Sequence, residues 1–194
     1  MSTAKRAFDL AGACAGLLVF TPVIASIAVA VLIDDGVPIL FRQTRLGRQR
    51  RLFSILKFRT MREGRVTRVG RVLRATGLDE LPQFVNILRG EMSAVGPRPL
   101  TEGDVRRLGW TGREFDFRWD HRPGLTGLAQ IVGAPTMQEA LELDRAYVSR
   151  WNPLLDCVLI ALSFAVNVFG KSRVQWCVRR RGFQTARDRA RSFS

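Results

Sequence analysis

Histidine is scarce in this chain and its cysteines are scattered, and both facts remove classes of enzyme. His121 is the single histidine among 194 residues, so no histidine cluster can hold zinc, and a Ser-His or Cys-His pair would have to use this residue. Cys14, Cys157 and Cys177 are odd in number and widely separated, which argues against a disulfide framework. We therefore expect a reducing, cytoplasmic compartment and an enzyme that works with carboxylates.

Acidic residues are also few compared with basic residues, 17 against 31, which gives a formal net charge of +14 at pH 7. Such a surplus requires an anionic partner, which can be nucleic acid, anionic lipid headgroups or a phosphorylated substrate. The composition is 46% hydrophobic and 25% charged, typical of a folded protein. At this length we expect one catalytic domain.

Residues 10–33 contain no charged side chain and are numerous enough to cross a bilayer. A plain transmembrane anchor is the simplest interpretation of this segment. Thr21 and Pro22 lie at its middle, however, where proline removes a helical hydrogen bond and bends the helix. A bent helix can enter and leave the membrane through the same face, which leaves both of its ends on the cytoplasmic side.

A second apolar run at residues 154–169 is shorter and is interrupted by Asp156 and Asn167. Asn152 and Pro153 precede it and are typical of an N-cap and a first helical position. The pattern predicts a helix that packs on the core or lies at the membrane interface, rather than one that spans the membrane.

Residues 38–43 and 52–60 have strand-like composition, and the polar residues 45–49 between them predict a short hairpin. Residues 42–74 contain twelve basic residues and one acidic residue, Glu63. This basic segment is either a solvated or membrane-adhesive surface or a wall that binds phosphate. Nucleic-acid binding has little support, because no zinc-finger or RNP-type motif is present.

Asp79 and Glu80 precede a predicted helix that ends near Gly90. Apolar residues recur at helical spacing after the two carboxylates, at Leu81, Phe84, Val85 and Leu88. An aspartate at a helix start is often a simple N-cap. The alternative is an ionised nucleophile or metal ligand, because the helix dipole favours negative charge there and a divalent cation would relieve the repulsion between adjacent carboxylates.

Arg98 lies between Pro97 and Pro99, which hold its backbone in a stiff turn. A rigidly presented guanidinium suits a phosphate group, and a structural salt bridge is the open alternative. The glycine-rich residues 122–127 could expose backbone N–H groups to an anion. Residues 136–149 begin with a capping box and predict a further helix.

Six short motifs follow one another along the chain: KRAFD at 5–9, the apolar helix with Thr21 and Pro22, LKFRTM at 56–61, LDELPQ at 78–83, VGPRPL at 95–100 and RPGLTG at 122–127. This ordered set resembles the bacterial sugar transferase family, the monotopic phosphoglycosyl transferases, from Lys5 to about Phe169. Each motif is weak alone, but the set in this order is highly specific.

The resemblance implies that a UDP-sugar gives its phosphosugar to undecaprenyl phosphate, releasing UMP and starting a surface glycan. It implies a ping-pong mechanism in which Asp79 is the nucleophile and Glu80 its partner, with both residues at a magnesium ion. The phosphate-binding cations that it implies are Arg98, Arg74, Lys57, Arg59 and Arg122. The uridine pocket is not placed by these motifs, and Arg122, Thr126 and Gln130 are candidates for it only.

The resemblance also implies an α+β fold in which a re-entrant membrane helix, broken at Thr21 and Pro22, precedes a mainly helical catalytic domain with a short β-hairpin and interfacial amphipathic helices. The expected divisions are residues 1–36, 37–170 and a basic tail at 171–194. We expect a minimal, monotopic protein on the cytoplasmic face of the bacterial inner membrane.

The expected partners are a UDP-sugar, undecaprenyl phosphate and membrane lipids, without nucleic acid, and the formation of a homo-oligomer is left open. The stretch between Met61 and Arg65 is shorter than is usual in the family, which leaves the sugar preference open. The alternative function is a non-catalytic membrane scaffold or a basic protein that binds lipid or nucleic acid.

Overall fold

The computed structural model describes residues Thr3–Phe169, and the basic tail predicted at 171–194 lies outside them. Helices α1 to α8 span Thr3–Asp35, Arg68–Thr76, Gln83–Leu88, Glu102–Leu108, Asp116–Trp119, Leu128–Val132, Met137–Ser149 and Pro153–Phe169. Strands β1 to β6 span Leu40–Leu46, Leu52–Phe58, Met61–Arg62, Arg65–Val66, Ser93–Val95 and Gly124–Thr126. Short 3-10 turns lie at Arg48–Arg50, Leu78–Glu80 and Arg113–Phe115.

The described part of the chain is mostly helical and contains three two-stranded sheets. β1 pairs with β2 and β3 with β4 in antiparallel fashion, whereas β5 and β6 are parallel. The α+β class and the short hairpin are therefore confirmed. β1 continues beyond the predicted strand end to Leu46, which pairs with Leu52 of β2. The Leu46 N–H also donates to the Leu100 carbonyl at 2.8 Å, and the side chains of Leu46 and Leu100 are buried.

Helix α1 lies along the rest of the structure over nearly its whole length, about 50 Å at 1.5 Å per residue. Ala13 is buried against β2 and α3, and Ile27 and Val31 are buried among residues of β2 and α2. The opposite side of the helix leaves large apolar residues exposed, at Leu18, Val19, Val23, Val29, Leu32 and Ile33. Helix α1 is thus long and apolar enough to cross a membrane, by length and composition.

Helical conformation continues on both sides of Thr21 and Pro22. The Thr21 hydroxyl donates to the Leu17 carbonyl at 2.6 Å, and the Ser26 hydroxyl donates to the Pro22 carbonyl at 2.9 Å. These bonds supply polar partners to carbonyl groups close to the proline, which itself has no N–H to donate. The re-entrant path stays a prediction.

A buried ion cluster holds the N-terminal end of α1. Lys5 Nζ lies 2.7 Å from Asp156 Oδ2 of α8 and 3.2 Å from Asp9 Oδ1, and all three side chains are at most 5% exposed. The Tyr147 hydroxyl and the Trp151 indole N–H also donate to Asp156, at 2.7 and 3.0 Å. The cluster therefore joins α1 to α7 and α8.

Polar contacts also hold the C-terminal end of α1. Arg59 Nε lies 2.5 Å from Asp35 Oδ2, and Arg59 Nη2 donates to the carbonyls of Asp35 and Gly36. The backbone N–H of Val69 in α2 donates to Asp34 Oδ2 at 3.0 Å. Both ends of α1 are consequently tied to the same folded body.

The two predicted C-terminal helices are present. Thr136 caps α7 by accepting from the Glu139 N–H at 3.2 Å, and Asn152 caps α8 by accepting from the Leu155 N–H at 2.8 Å. Leu159 and Val166 bury one side of α8 against the core, as predicted for a packed helix. The other side of α8 remains exposed and apolar, as at Leu154, Val158 and Phe164.

Replacement of Asp156 by Asn should destabilise the protein by about 3 kcal/mol, because the buried Lys5 cation loses one of the two carboxylate partners found among the described residues. The free energy of unfolding in mild detergent measures the effect. Arg107→Ala, which removes a largely exposed pair with Asp104, is the control and should cost under about 1 kcal/mol. Equal effects of the two substitutions would contradict a special role for the buried cluster.

Candidate active site

Asp79 and Glu80 lie in the 3-10 turn between α2 and α3. Gly77 ends α2 with φ +71°, a left-handed conformation that suits glycine and turns the chain sharply. Helix α3 begins after Pro82, its N-cap residue, and no side chain caps it. Asp79 therefore precedes the helix instead of starting it, and the simple N-cap interpretation fails.

Lys57 of β2 reaches this turn. Its Nζ lies 2.5 Å from Glu80 Oε1, and both side chains keep partial contact with solvent. Lys57 precedes the last residue of β2, so the hairpin brings the cation to the carboxylates. The sequence-predicted residues Lys57 and Glu80 are thus in direct contact.

Arg74 occupies the last turn of α2, on the other side of Gly77. Its Nε donates to Thr60 Oγ1 at 2.9 Å, which fixes the guanidinium beside the end of the hairpin. Arg74 is close enough to Asp79 for its charge to lower the pKa of that carboxyl. Asp79, Glu80, Lys57 and Arg74 therefore form one cluster of two carboxylates and two cations.

Burial raises the pKa of Asp79 above its usual value, because a partly buried carboxylate loses water that stabilises its charge. The adjacent Glu80 raises it further, and Lys57 and Arg74 act in the opposite direction. A carboxylate in this position is less hydrated than a surface aspartate. It can therefore serve as a nucleophile when nearby cations hold it ionised.

Arg98 is exposed, although both flanking prolines are buried. Its carbonyl accepts from Arg118 Nη2 at 2.6 Å, but its side chain forms no hydrogen bond or ion pair with the residues described. The salt-bridge alternative is therefore not found in this part of the chain. The guanidinium of Arg98 lies near those of Arg45 and Arg118, and no direct contact joins it to Asp79 or Glu80.

Arg59 and Arg122 lie elsewhere. Arg59 is engaged with Asp35 and the end of α1, as described above, and phosphate binding by this residue stays a prediction. Arg122 Nε donates to the Gly90 carbonyl at 2.6 Å, and the side chain borders a cavity of about 100 Å³ that Tyr147 and Trp151 also line. The two other uridine possibilities, Thr126 and Gln130, do not line this cavity.

The motifs at 95–100 and 122–127 interlock through their glycines. A Cβ atom on Gly124 would lie 2.1 Å from the Gly96 nitrogen, and one on Gly127 would lie 2.3 Å from the Gly96 carbonyl oxygen. The Gly124 N–H donates to the Pro97 carbonyl at 2.9 Å. This N–H is therefore not available to an anion, while anion binding by the other N–H groups of that turn stays a prediction. The glycines allow close backbone contact.

Asn86 is a site residue that sequence reasoning missed. This fully buried side chain accepts from the Leu56 N–H at 3.0 Å and donates to the Ser54 carbonyl at 2.7 Å. Both contacts are with β2. Asn86 therefore fixes α3, the helix that follows Asp79 and Glu80, onto the strand that carries Lys57. On a helical projection Asn86 lies opposite the predicted apolar face of Leu81, Phe84, Val85 and Leu88, so the sequence pattern gave no signal of its burial.

Among the described residues there is no group of three or more His, Cys, Asp or Glu side chains that could hold a metal ion. Asp79 and Glu80 are adjacent, and two carboxylate side chains are a donor set that magnesium uses when substrate phosphates complete its coordination. The site therefore offers part of a magnesium shell and no complete protein cage.

The sequence model described as Bacterial sugar transferase matches residues 1–170. The UDP-glucose:undecaprenyl-phosphate glucose-1-phosphate transferase of Caulobacter vibrioides is 38% identical over 177 residues, which cover 80% of this chain and 66% of that protein. Exopolysaccharide production protein ExoY of Rhizobium meliloti is 38% identical over 188 residues, covering 81% and 82%.

Other relatives are much longer than this chain. The undecaprenyl-phosphate glucose phosphotransferase of Komagataeibacter xylinus is 36% identical over 193 residues, which cover 87% of this chain and 36% of that protein. The chain thus spans about a third of the length of this relative. The family match nevertheless extends over all the described residues, including the Asp79 turn, and the chain belongs to the bacterial sugar transferase family.

Proposed function

We propose that this protein transfers a sugar-1-phosphate from a UDP-sugar to undecaprenyl phosphate and releases UMP. The relative from Caulobacter vibrioides carries the name of that reaction with glucose, which supports the reaction class and a glucose-type donor. The observation that carries the proposal is the partly buried Asp79 beside Glu80, with Lys57 and Arg74 around it. Because exopolysaccharide production is named for a second relative, we assign the product to surface glycan assembly.

The reaction has two displacements at one phosphorus atom. A carboxylate oxygen of Asp79 attacks the phosphorus that bears the sugar, and the bond from this phosphorus to the bridging oxygen breaks. UMP leaves with that oxygen and its electron pair, and a phosphosugar is bound to Asp79. An oxygen of undecaprenyl phosphate then attacks the same phosphorus, and the Asp79 carboxylate is released unchanged, which makes the mechanism ping-pong.

The protein contributes mainly position and positive charge, as is general in phosphoryl transfer. Lys57 and Arg74 lie close enough to offset the charge that collects on the phosphoryl oxygens. Glu80 holds Lys57 in place through their ion pair. Arg98 presents an unpaired guanidinium, within the described residues, to a further phosphate oxygen.

Magnesium is the proposed cofactor, and Asp79 and Glu80 are the residues that would hold it. Its fit is supported by the raised pKa of Asp79, whose causes are burial and then the negative charge of Glu80, because a divalent cation would offset both. When bound, the ion would supply Lewis-acid stabilisation of the phosphate charge.

We place the protein in the inner membrane as a monotopic enzyme with its catalytic part on the cytoplasmic face. A straight crossing needs about 20 residues within the lipid and separates the two helix ends by the membrane thickness. Here Lys5 near one end and Asp35 at the other form ion pairs with the same folded body. This arrangement supports an α1 that enters one leaflet and returns to the same side.

Asp79→Asn should abolish transfer with little effect on folding, because the amide has nearly the same shape and is a far weaker nucleophile. The measurement is UMP release from a panel of UDP-sugars with undecaprenyl phosphate and magnesium. A donor labelled in the phosphate next to the sugar should leave its label on the wild type, without acceptor, and none on Asp79→Asn.

The control for this experiment is Asp120→Asn, an exposed aspartate for which no contact with the Asp79 cluster is found in the described residues. Turnover retained by Asp79→Asn would remove this residue from the nucleophile role. If the wild type released no UMP from any donor, the alternative of a non-catalytic scaffold would be favoured instead.

Arg98→Ala should lower kcat/KM by roughly ten- to a hundredfold, because a charge-assisted contact with phosphate is lost. Steady-state kinetics with varied UDP-sugar checks this result, and thermal unfolding should show no large loss of stability. The control is Arg106→Ala, which removes an exposed arginine of α4 and should leave the kinetics unchanged. Unchanged kinetics for Arg98→Ala would assign that side chain no part in phosphate binding.

The double substitution of Thr21 and Pro22 by Ala should favour a straighter helix and a full crossing, because the missing hydrogen bond at Pro22 is restored. A cysteine at the exposed position Ala4, in a chain with its native cysteines replaced by serine, reports the side of the membrane. It should be labelled only from the cytoplasmic side in otherwise wild-type protein, and partly from outside in the double variant. A cytoplasmic label unchanged by the substitutions would count against a role of these two residues in the topology.

A further inference from the structure

A strongly basic surface lies where α2 and the β3–β4 hairpin meet the C-terminal end of α1. We call it the α2 basic surface, and it consists of Arg62, Arg65, Arg68 and Arg71. The Val69 N–H bond to Asp34 and the Arg62 contact with Asp35 fix it to α1. Its position is therefore set relative to the apolar helix.

The charges of this surface are largely uncompensated. Arg65, Arg68 and Arg71 are exposed, and none of them forms an ion pair within the part of the chain that the structure describes. Arg62 pairs with Asp35 and more loosely with Glu63, a residue that is itself mostly exposed. The surface therefore keeps positive charge that these contacts do not neutralise and that an anionic partner would meet.

Exposed apolar side chains lie beside these arginines. Val72 of α2 is 60% exposed, and Val66 of β4 is 40% exposed. On the last turns of α1, Ile33 is 81% exposed and Leu32 is 45% exposed. An apolar strip next to a row of basic residues is the arrangement of segments that lie at a membrane interface, where long basic side chains reach the headgroups.

We infer that the α2 basic surface binds the anionic headgroups of the bilayer into which the apolar side of α1 inserts. The inference rests on the membrane location in the proposed function, but not on the proposed chemistry. Charge complementarity selects anionic over neutral lipid, and the adjacent apolar side chains select a membrane over a polyanion in solution. Arg74, one turn further along α2, contacts Thr60 and belongs to the Asp79 cluster instead.

This contact would set the height of the active site above the membrane. Because α2 leads through Gly77 directly to Asp79, headgroups bound along α2 fix the position of the nucleophile relative to the lipid surface. A lipid-borne phosphate acceptor stays at that surface, so a fixed height serves its approach.

The test uses the full chain, diluted from mild detergent onto vesicles of phosphatidylcholine alone or with about a third phosphatidylglycerol. The quantity measured is the ratio of bound protein between the two vesicle types after flotation. Arg65→Gln/Arg68→Gln/Arg71→Gln is compared with Arg51→Gln/Arg106→Gln/Arg113→Gln, which removes the same charge from exposed positions outside the α2 basic surface. Thermal unfolding verifies that both variants fold.

The wild type and the control variant should prefer the anionic vesicles, and the α2 variant should lose that preference by at least tenfold, since each basic residue near the surface contributes roughly fivefold. Binding to neutral vesicles should persist in all three proteins, because α1 is unchanged. Lysine at the same three positions should retain the preference, and about 0.5 M salt should remove it.

Equal losses in the two glutamine variants would overturn the inference, because net charge alone would then explain the preference. It would also be overturned if the α2 variant kept its preference for anionic vesicles. Two other results would point to a different ligand and overturn it as well: binding that depends on the three arginines only when undecaprenyl phosphate is added to neutral vesicles, or a loss of binding to a DNA duplex in place of a loss of binding to anionic vesicles. No donor is present, so the result is independent of whether the protein transfers a phosphosugar, which UMP release measures separately.

Discussion

The buried cation of Lys5, held between Asp9 and Asp156, fixes the N-terminal end of a largely apolar helix onto the rest of the protein. Removing three charges from water is costly, and the additional donors to Asp156 from Tyr147 and Trp151 compensate part of that cost. With Asp35 held by Arg59 at the other end, α1 has one defined position along the fold. A helix attached only by apolar contacts could slide, because such contacts are not directional.

With α1 in this position, the turn that carries Asp79 and Glu80 lies close to it. Phe84, which follows the Asp79 turn in α3, packs against Gly16, where an added Cβ would lie 2.8 Å from the ring. Its ring also stacks with that of Phe20, and Leu81 packs in the same cluster as Ile27. Helix α3, which follows Asp79 and Glu80, therefore packs against the middle of α1. Attachment of α1 to the membrane, as proposed, would also fix the position of Asp79 relative to the bilayer.

Local patterns in the sequence predicted those structural elements that depend on residues close together in the chain. The hairpin, the Thr136 cap and the Asn152 cap were all predicted, because turn composition and capping residues act within a few positions. Lys57, Arg74, Glu80 and Asp79 lie in one cluster, and the roles that the resemblance implies for them stay predictions. The pairing of Lys5 with Asp156 was not predicted, since 151 residues separate them. The ion pair of Arg59 with Asp35 was not predicted either, and phosphate binding by Arg59 stays a prediction.

The balance of charge in the Asp79 cluster bears on the proposed magnesium cofactor. When fully ionised, the two carboxylates of Asp79 and Glu80 are matched by the two cations of Lys57 and Arg74, so the cluster has no positive surplus to offer a diphosphate. A substrate with two further negative charges would be repelled by the very anion that must attack it. Additional positive charge must come from outside the cluster, and Arg98 and a divalent ion are the two sources that the proposal names. Arg98 alone supplies one unit, which leaves part of the diphosphate charge unbalanced. The charge count thus supports the proposal of a magnesium ion, which Asp79 and Glu80 would hold and which would supply the missing positive charge.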